Sequence, residues 1–310
     1  LEPSRANILP QSEYFNGSFS GSFETNAAIS PDGTMNASKF VFTQGASYPQ
    51  FYTFLSGLVV GQQYTSSIYI KKTEASEDFQ MISSGVVFTP TDEWQRVITT
   101  FTATSTSQSV LVNYVVSVGV GVINEVYVAF AQVEANATYA TSYIPNHSGT
   151  GGVTRAADSC SGGGSAESIN SVEGVLYAEI SALNNDGTYR SISLSDGSTN
   201  NELLLYYYAN NILAVDFRVG AVNQAPFSVT VNQTAINKIA IKYKVNDFAL
   251  WVNGTEVATD TSGSIPSANT FNNLSISRAN LSLPFYGNVK QLAVFNEALS
   301  DSELATLTTL

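Results

Sequence analysis

Holding a sugar requires aromatic rings left outside a core, beside polar groups that bond hydroxyls. The run Tyr206-Tyr207-Tyr208 meets the first need. Neighbours along a strand face opposite ways, so at least one of the three rings leaves the core. Tyr207 lies opposite to Tyr206 and Tyr208 and is the ring expected to be free. Tyr48, Phe51, Tyr52 and Phe54, around Pro49, form a second aromatic loop, from which Tyr52 and Tyr48 are candidates. Trp251 is out of phase with Phe248, Leu250 and Val252. Either it is core and Leu250 is not, or it sits on a concave sheet face as a fourth candidate. Core packing competes with a ligand role at each position.

Cutting a glycan with retention needs two carboxylates about 5–5.5 Å apart, which on a strand means acids two or four residues apart. The sequence has no such cluster. Glu173 and Glu179 are six apart, Glu77-Asp78 and Asp92-Glu93 read as turn charges, and Asp301 and Glu303 fall in a C-terminal helix. A non-catalytic protein is the expectation. Calcium is the one ion with candidate ligands, since oxygen-rich loops suit it. Asn184-Asn185-Asp186-Gly187 and Asp196-Gly197-Ser198 offer Asp186 and Asp196, although both are also ordinary turn sequences. The single cysteine, Cys160, excludes an internal disulfide and a cysteine zinc site. The single histidine, His147, argues against a histidine triad. Both lie in a Gly/Ser-rich stretch.

These side chains must be positioned by strands. The 310 residues hold 44% hydrophobic and only 12% charged side chains, with a net charge of −12. Ser, Thr, Asn, Val, Tyr and Phe are abundant, which suits half-buried strands and the turns between them. The acidic balance argues against nucleic acid, whose backbone needs clustered Lys and Arg. No run nears the roughly 18 apolar residues of a membrane span. Leu1 follows no initiator methionine and opens no signal peptide, so the chain is expected to start inside a longer polypeptide.

The expected fold is all-β: two antiparallel β-sandwich (jelly-roll) domains in tandem with a short C-terminal helix. Residues 1–145 form the first, 146–168 a Gly/Ser-rich linker and 169–310 the second. Phe40 and Phe42 share one face, as do Ile68 and Ile70. In the second half Ile239, Ile241, Tyr243 and Val245 point one way, with Lys238, Lys242 and Lys244 toward solvent. Asn253-Gly254 predicts a type I′ hairpin. Ser300-Asp301-Ser302-Glu303 predicts a capping box, opening a helix packed across a sheet edge.

The segments Asp247-Phe248-Ala249-Leu250-Trp251-Val252-Asn253-Gly254-Thr255-Glu256-Val257 and 286–300 resemble the hairpin and the closing strand plus helix start of the laminin-G/concanavalin A-like lectin fold. Glu297 stands where a basic residue is usual. The first half resembles the carbohydrate-binding-module jelly rolls of phage tail proteins. Leu1-Glu2-Pro3-Ser4-Arg5-Ala6-Asn7-Ile8-Leu9-Pro10-Gln11-Ser12-Glu13 resembles their opening, with Ala6 for Thr. Ala27-Ala28-Ile29-Ser30-Pro31-Asp32-Gly33-Thr34 resembles an internal segment. Gln132-Val133-Glu134, Tyr139-Ala140-Thr141-Ser142-Tyr143-Ile144-Pro145 and Thr154-Arg155-Ala156-Ala157-Asp158 resemble their exit. The resemblance implies the binding part of a tail fibre or other virion appendage, a homotrimer among other virion proteins, attaching to a host-surface glycan. The alternatives are a virion decoration protein that binds no sugar, a bacterial cell-surface adhesin, and a polysaccharide depolymerase.

Overall fold

The computed structural model describes every residue except 16, 44–45, 47–48 and 116–122. The chain divides into two compact units: Ser4–Ala156, and Ala157–Leu310 together with Leu1–Pro3. Each is an antiparallel β-sandwich, and the one α-helix among the described residues is near the C-terminus. Among the described residues no helix is long and apolar enough to cross a membrane.

The first unit contains β1 (Arg5–Asn7), β2 (Gly17–Phe19), β3 (Gly21–Ala28), β4 (Ala37–Phe42), β5 (Gln50–Ser56) and β6 (Gln63–Lys72). It continues with β7 (Met81–Ser83), β8 (Val86–Phe88), β9 (Gln95–Thr102), β10 (Ser107–Val115), β11 (Glu125–Ala135) and β12 (Val153–Arg155). One sheet runs β12-β1-β11-β4-β3, with β6 and then β9 added to β11; the other runs β2-β5-β10-β7-β8. Phe40, Phe42, Ile68 and Ile70 meet Phe51, Met81, Val126 and Val128 in the core, as their alternation predicts.

A buried polar lock joins the opening and exit segments of this unit. Asn7 is fully buried. Its amide donates to Ala131 O (3.3 Å) and Ile144 O (2.9 Å), and its Oδ1 accepts from Leu9 N (3.2 Å) and Val133 N (3.1 Å). Gln132 accepts from Ile144 N, Glu134 from Thr141 N and Oγ1, and Asn146 donates to Gly151 O. The motifs at both ends of the domain therefore serve closure. Asn7→Ala orphans four buried backbone groups at about 1–3 kcal/mol each if nothing relaxes. The expected net loss is about 3 kcal/mol, read as an earlier denaturant transition of the first sandwich.

The second unit contains β13 (Glu173–Ala182), β14 (Arg190–Ser195), β15 (Glu202–Ala209), β16 (Ile212–Val219), β17 (Val222–Asn223) and β18 (Phe227–Thr230). It ends with β19 (Asn237–Lys244), β20 (Phe248–Val252), β21 (Thr255–Asp260), β22 (Asn273–Ser275), β23 (Gly287–Phe295) and α1 (Asp301–Thr308). The sheets are β21-β20-β19-β13-β23 and β17-β16-β15-β14-β22, with β18 also on β16. Asn253 (φ 52°) and Gly254 (φ 82°) make the predicted turn between β20 and β21. Ile239, Ile241 and Tyr243 are core, as predicted, whereas Val245, grouped with them in the sequence, falls past the end of β19 and is exposed.

Two expectations change here. The helix α1 opens with Ser300 N donating to Glu303 Oε2 (2.8 Å), but it lies across the outer sheet face and not an edge. Leu304 packs there with Val175, Tyr177, Ala240 and Trp251. Lys242, expected toward solvent, is consequently buried, its Nζ 2.8 Å from Asp247 and 3.5 Å from Asp301. A strand's alternation gives the face a side chain takes, but not what later covers that face.

Candidate functional site

The outer face of the β17-β16-β15-β14-β22 sheet carries the candidate site. On β15, Leu203, Leu205 and Tyr207 enter the core, so Tyr206 and Tyr208 point outward. This reverses the expected phase: Tyr207 is fully buried, 5.9 Å from the Phe285 ring. The run Leu203-Leu204-Leu205 suits either face, so composition alone could not choose the parity. Between Tyr207 and Ala209 the register with β16 slips by one residue. This bulge makes Tyr208 the extra residue, and its ring stands 5.6 Å from that of Tyr206.

Tyr189, absent from the sequence-based candidates, completes the group. Its ring is nearly parallel to that of Tyr206 (7°) at 6.3 Å, and lies 6.0 Å from that of Tyr208. It is 46% exposed. The neighbouring Arg190 sets its place. The fully buried guanidinium holds both oxygens of Asp186 (2.9 and 3.1 Å), Tyr286 O (3.0 Å) and Thr188 O (3.1 Å). The only sequence signal for Tyr189 was its place beside a turn opposite the tyrosine run.

Asp216 and Arg218, on the same face of β16, flank the platform. Arg218 donates to Asp216 Oδ2 (3.0 Å) and Asn223 to Oδ1 (2.7 Å). Burial pushes the Tyr206 hydroxyl up to about 12, with Asp216, Tyr208 and Tyr189 adding to the shift. It is therefore a neutral donor and acceptor at any physiological pH.

The β14 side of the face is roofed by residues 277–284. Ser191, Ser193, Glu202 and Leu204 occupy outward positions yet are buried. Ser193 Oγ donates to Ser277 O (2.8 Å) and Ser191 Oγ to Leu283 O (2.6 Å). Glu202 accepts from Ala279 N (2.8 Å) and Arg278 Nε (3.3 Å). Leu281 (φ 63°) and Leu283 (φ 52°) adopt left-handed backbone, a strained choice that these bonds over-determine. This strap leaves the tyrosines as the open part of the face.

The other candidates fall elsewhere. Trp251 keeps its expected phase, opposite Leu250, but α1 buries it to 8% exposure. Tyr52 is half-buried on β5 of the first sandwich, its ring close against Gly17, where a Cβ would come 2.7 Å from it. Tyr48 lies outside the described residues. Asp186 and Asp196 do not converge on a cation. Burial works to raise the Asp186 carboxyl, but the bonds from Thr188 and Arg190 outweigh it and hold it below the usual carboxylate range. Asp196 accepts from Ser198 N (2.8 Å), Ser198 Oγ (2.6 Å) and Asn201 Nδ2 (2.7 Å). Both carboxylates are thus engaged by the chain's own donors, as turn aspartates are. No group of three or more His, Cys, Asp or Glu that could hold a metal occurs among the described residues.

Alkali tests this packing. Burial also pushes the Tyr207 and Tyr243 hydroxyls up from the ordinary value of 10.0. A phenol with a raised folded value keeps its proton longer folded than unfolded. Its stabilising effect is whole below the unfolded value and is lost as pH rises through the folded one. The melting temperature of the second sandwich is expected to fall steadily above about pH 10, and a flat profile from pH 9 to 12 would contradict the burial.

Residues 177–305 match the family model Laminin_G_3 of the concanavalin A-like lectin/glucanases superfamily. No curated protein matches the chain. Among solved structures, an IT-sialidase CBM40 of Ruminococcus gnavus bound to alpha2,3 sialyllactose is 18% identical over 44% of this chain and 83% of that one, with a TM-score of 0.38. A heptameric SAP-like pentraxin from Limulus polyphemus is 14% identical over 44% and 70%, TM-score 0.37. Domains LG4-5 of the mouse laminin alpha1 chain are 11% identical over 80% and 90%, TM-score 0.31. Likenesses of this size say nothing of a ligand.

Proposed function

We propose that the chain is a non-catalytic glycan-binding protein whose second sandwich holds sugar on the Tyr189, Tyr206 and Tyr208 platform. The observation that carries this is three tyrosine rings gathered on the one part of an outer sheet face that the strap leaves open. The lectin/glucanase family match over 177–305 supports it. That family description also admits hydrolysis. Binding is favoured because the acids of this face are occupied: Glu202 lies buried under the strap and Asp216 is held by Arg218 and Asn223.

The setting we propose is a phage tail fibre or other virion appendage, with 1–145 and 169–310 as its two domains and 146–168 between them in sequence, the early part of that segment pairing with β1 of the first sandwich through β12. The chain would act as a homotrimer attaching to a host-surface glycan, where repeated weak contacts gain through valency. The matching opening and exit segments of the first half support this setting. A glycan array probed with the whole chain, with and without EDTA, tests the function. The expected result is binding that survives EDTA and, for at least one glycan on the array, is lost in the Tyr206→Ala, Tyr208→Ala double variant. Binding of every glycan indifferent to those changes, or reducing ends released from a bound polysaccharide, would overturn it.

A further inference from the structure

The first sandwich has a cleft that this function leaves unused. It measures about 420 Å³ and is lined by Ala28, Ile29, Lys71, Lys72, Glu74, Asp92 and Tyr127. Its floor is the outer face of the larger sheet, where Glu24, Lys39, Tyr127 and Lys71 stand in one cross-strand row. Residues 1–147 hold only five basic side chains, Arg5, Lys39, Lys71, Lys72 and Arg96, and three of them gather here.

The wall of the cleft is built in place. Asp32 accepts from Thr34 N (2.9 Å), Thr34 Oγ1 (2.7 Å) and Ser30 Oγ (2.8 Å), closing a turn that Gly33 allows with φ 87°. Trp94 Nε1 then donates to Ile29 O (3.2 Å). The Ser30-Pro31-Asp32-Gly33-Thr34 segment thus fixes Ile29 as the rim opposite Tyr127.

The charges around it are not equivalent. Lys39 is paired with Glu24 at 2.8 Å and Lys72 with Asp78 at 2.8 Å. The side chains of Lys71, Glu74 and Asp92 carry no hydrogen bond or ion pair among the described residues, yet all line the cleft. One free ammonium and two free carboxylates around a tyrosine ring match a ligand rich in hydroxyls, which both donate and accept. A carboxylated sugar would gain Lys71 but meet repulsion from Glu74 and Asp92.

We propose that this cleft is a second binding site that takes a neutral saccharide and rejects uronic acids. Tyr127 would supply the stacking face, Lys71 a donor, and Glu74 and Asp92 the acceptors that set the preference. The test uses the whole chain carrying Tyr206→Ala and Tyr208→Ala, so that the platform is silent. It is titrated calorimetrically with neutral tetrasaccharides of glucose, galactose and mannose, and with a tetrauronate. At least one neutral probe is expected to bind, and to lose ten-fold or more in Tyr127→Ala and in Lys71→Ala at unchanged melting temperature. Glu74→Gln with Asp92→Asn is expected to raise tetrauronate affinity at least ten-fold. The proposal fails if no neutral probe binds, if Tyr127→Ala and Lys71→Ala bind as the parent does, or if the parent prefers the uronate. The platform reading is judged separately, by the array.

Discussion

Tyr206→Ala is expected to weaken glycan binding about thirty-fold, the equivalent of about 2 kcal/mol. Tyr206 stacks nearly parallel to Tyr189 at 6.3 Å and stands 5.6 Å from Tyr208. Truncation removes its own contact face and one wall against which both neighbours rest. Tyr206→Phe separates the ring from the hydroxyl and is expected to cost only a few-fold, because one neutral hydrogen bond contributes about 1 kcal/mol net. Tyr207→Phe, on the opposite face, is expected to leave affinity unchanged. Binding that followed Tyr207 and ignored Tyr206 would refute the assignment of faces. Affinity measured by calorimetry on the array's best glycan decides it.

The second large effect is on stability. Arg190→Met is expected to destabilise the second sandwich by about 3–5 kcal/mol, because removing one partner of a buried ion pair leaves the other charge uncompensated. Arg190 is 1% exposed and bonds Asp186 through two contacts, besides two carbonyls. Arg190→Lys is not a rescue, since an ammonium cannot reproduce the planar fork. Adding Asp186→Asn to Arg190→Met is expected to recover part of the loss, which a denaturant double-mutant cycle would detect. Glycan affinity should fall with Arg190→Met as well, because Tyr189 is the adjacent residue. A loss of under 1 kcal/mol would mean that the guanidinium is replaceable by packing.

Much of the scaffold was legible in the sequence because it is written in local terms. Alternation at Phe40/Phe42, Ile68/Ile70 and Ile239/Ile241/Tyr243 named core faces correctly. The Asn253-Gly254 turn and the Ser300/Glu303 cap likewise depend on a few adjacent residues. The site was less legible. Trp251 and Lys242 follow their strand phase, but a helix some fifty residues later in the chain covers them.

What the sequence alone determined is therefore the all-β class, the two-sandwich order and the supply of aromatic side chains, since propensity, period and turn chemistry act over a few residues. Only the tertiary structure decided which tyrosines stay outside. Tyr207 was taken inward with Leu203 and Leu205, Tyr189 was brought beside Tyr206 by strand pairing, and the 277–284 strap closed the rest of the face. Burial is a property of what packs on a face, and those partners come from distant parts of the chain.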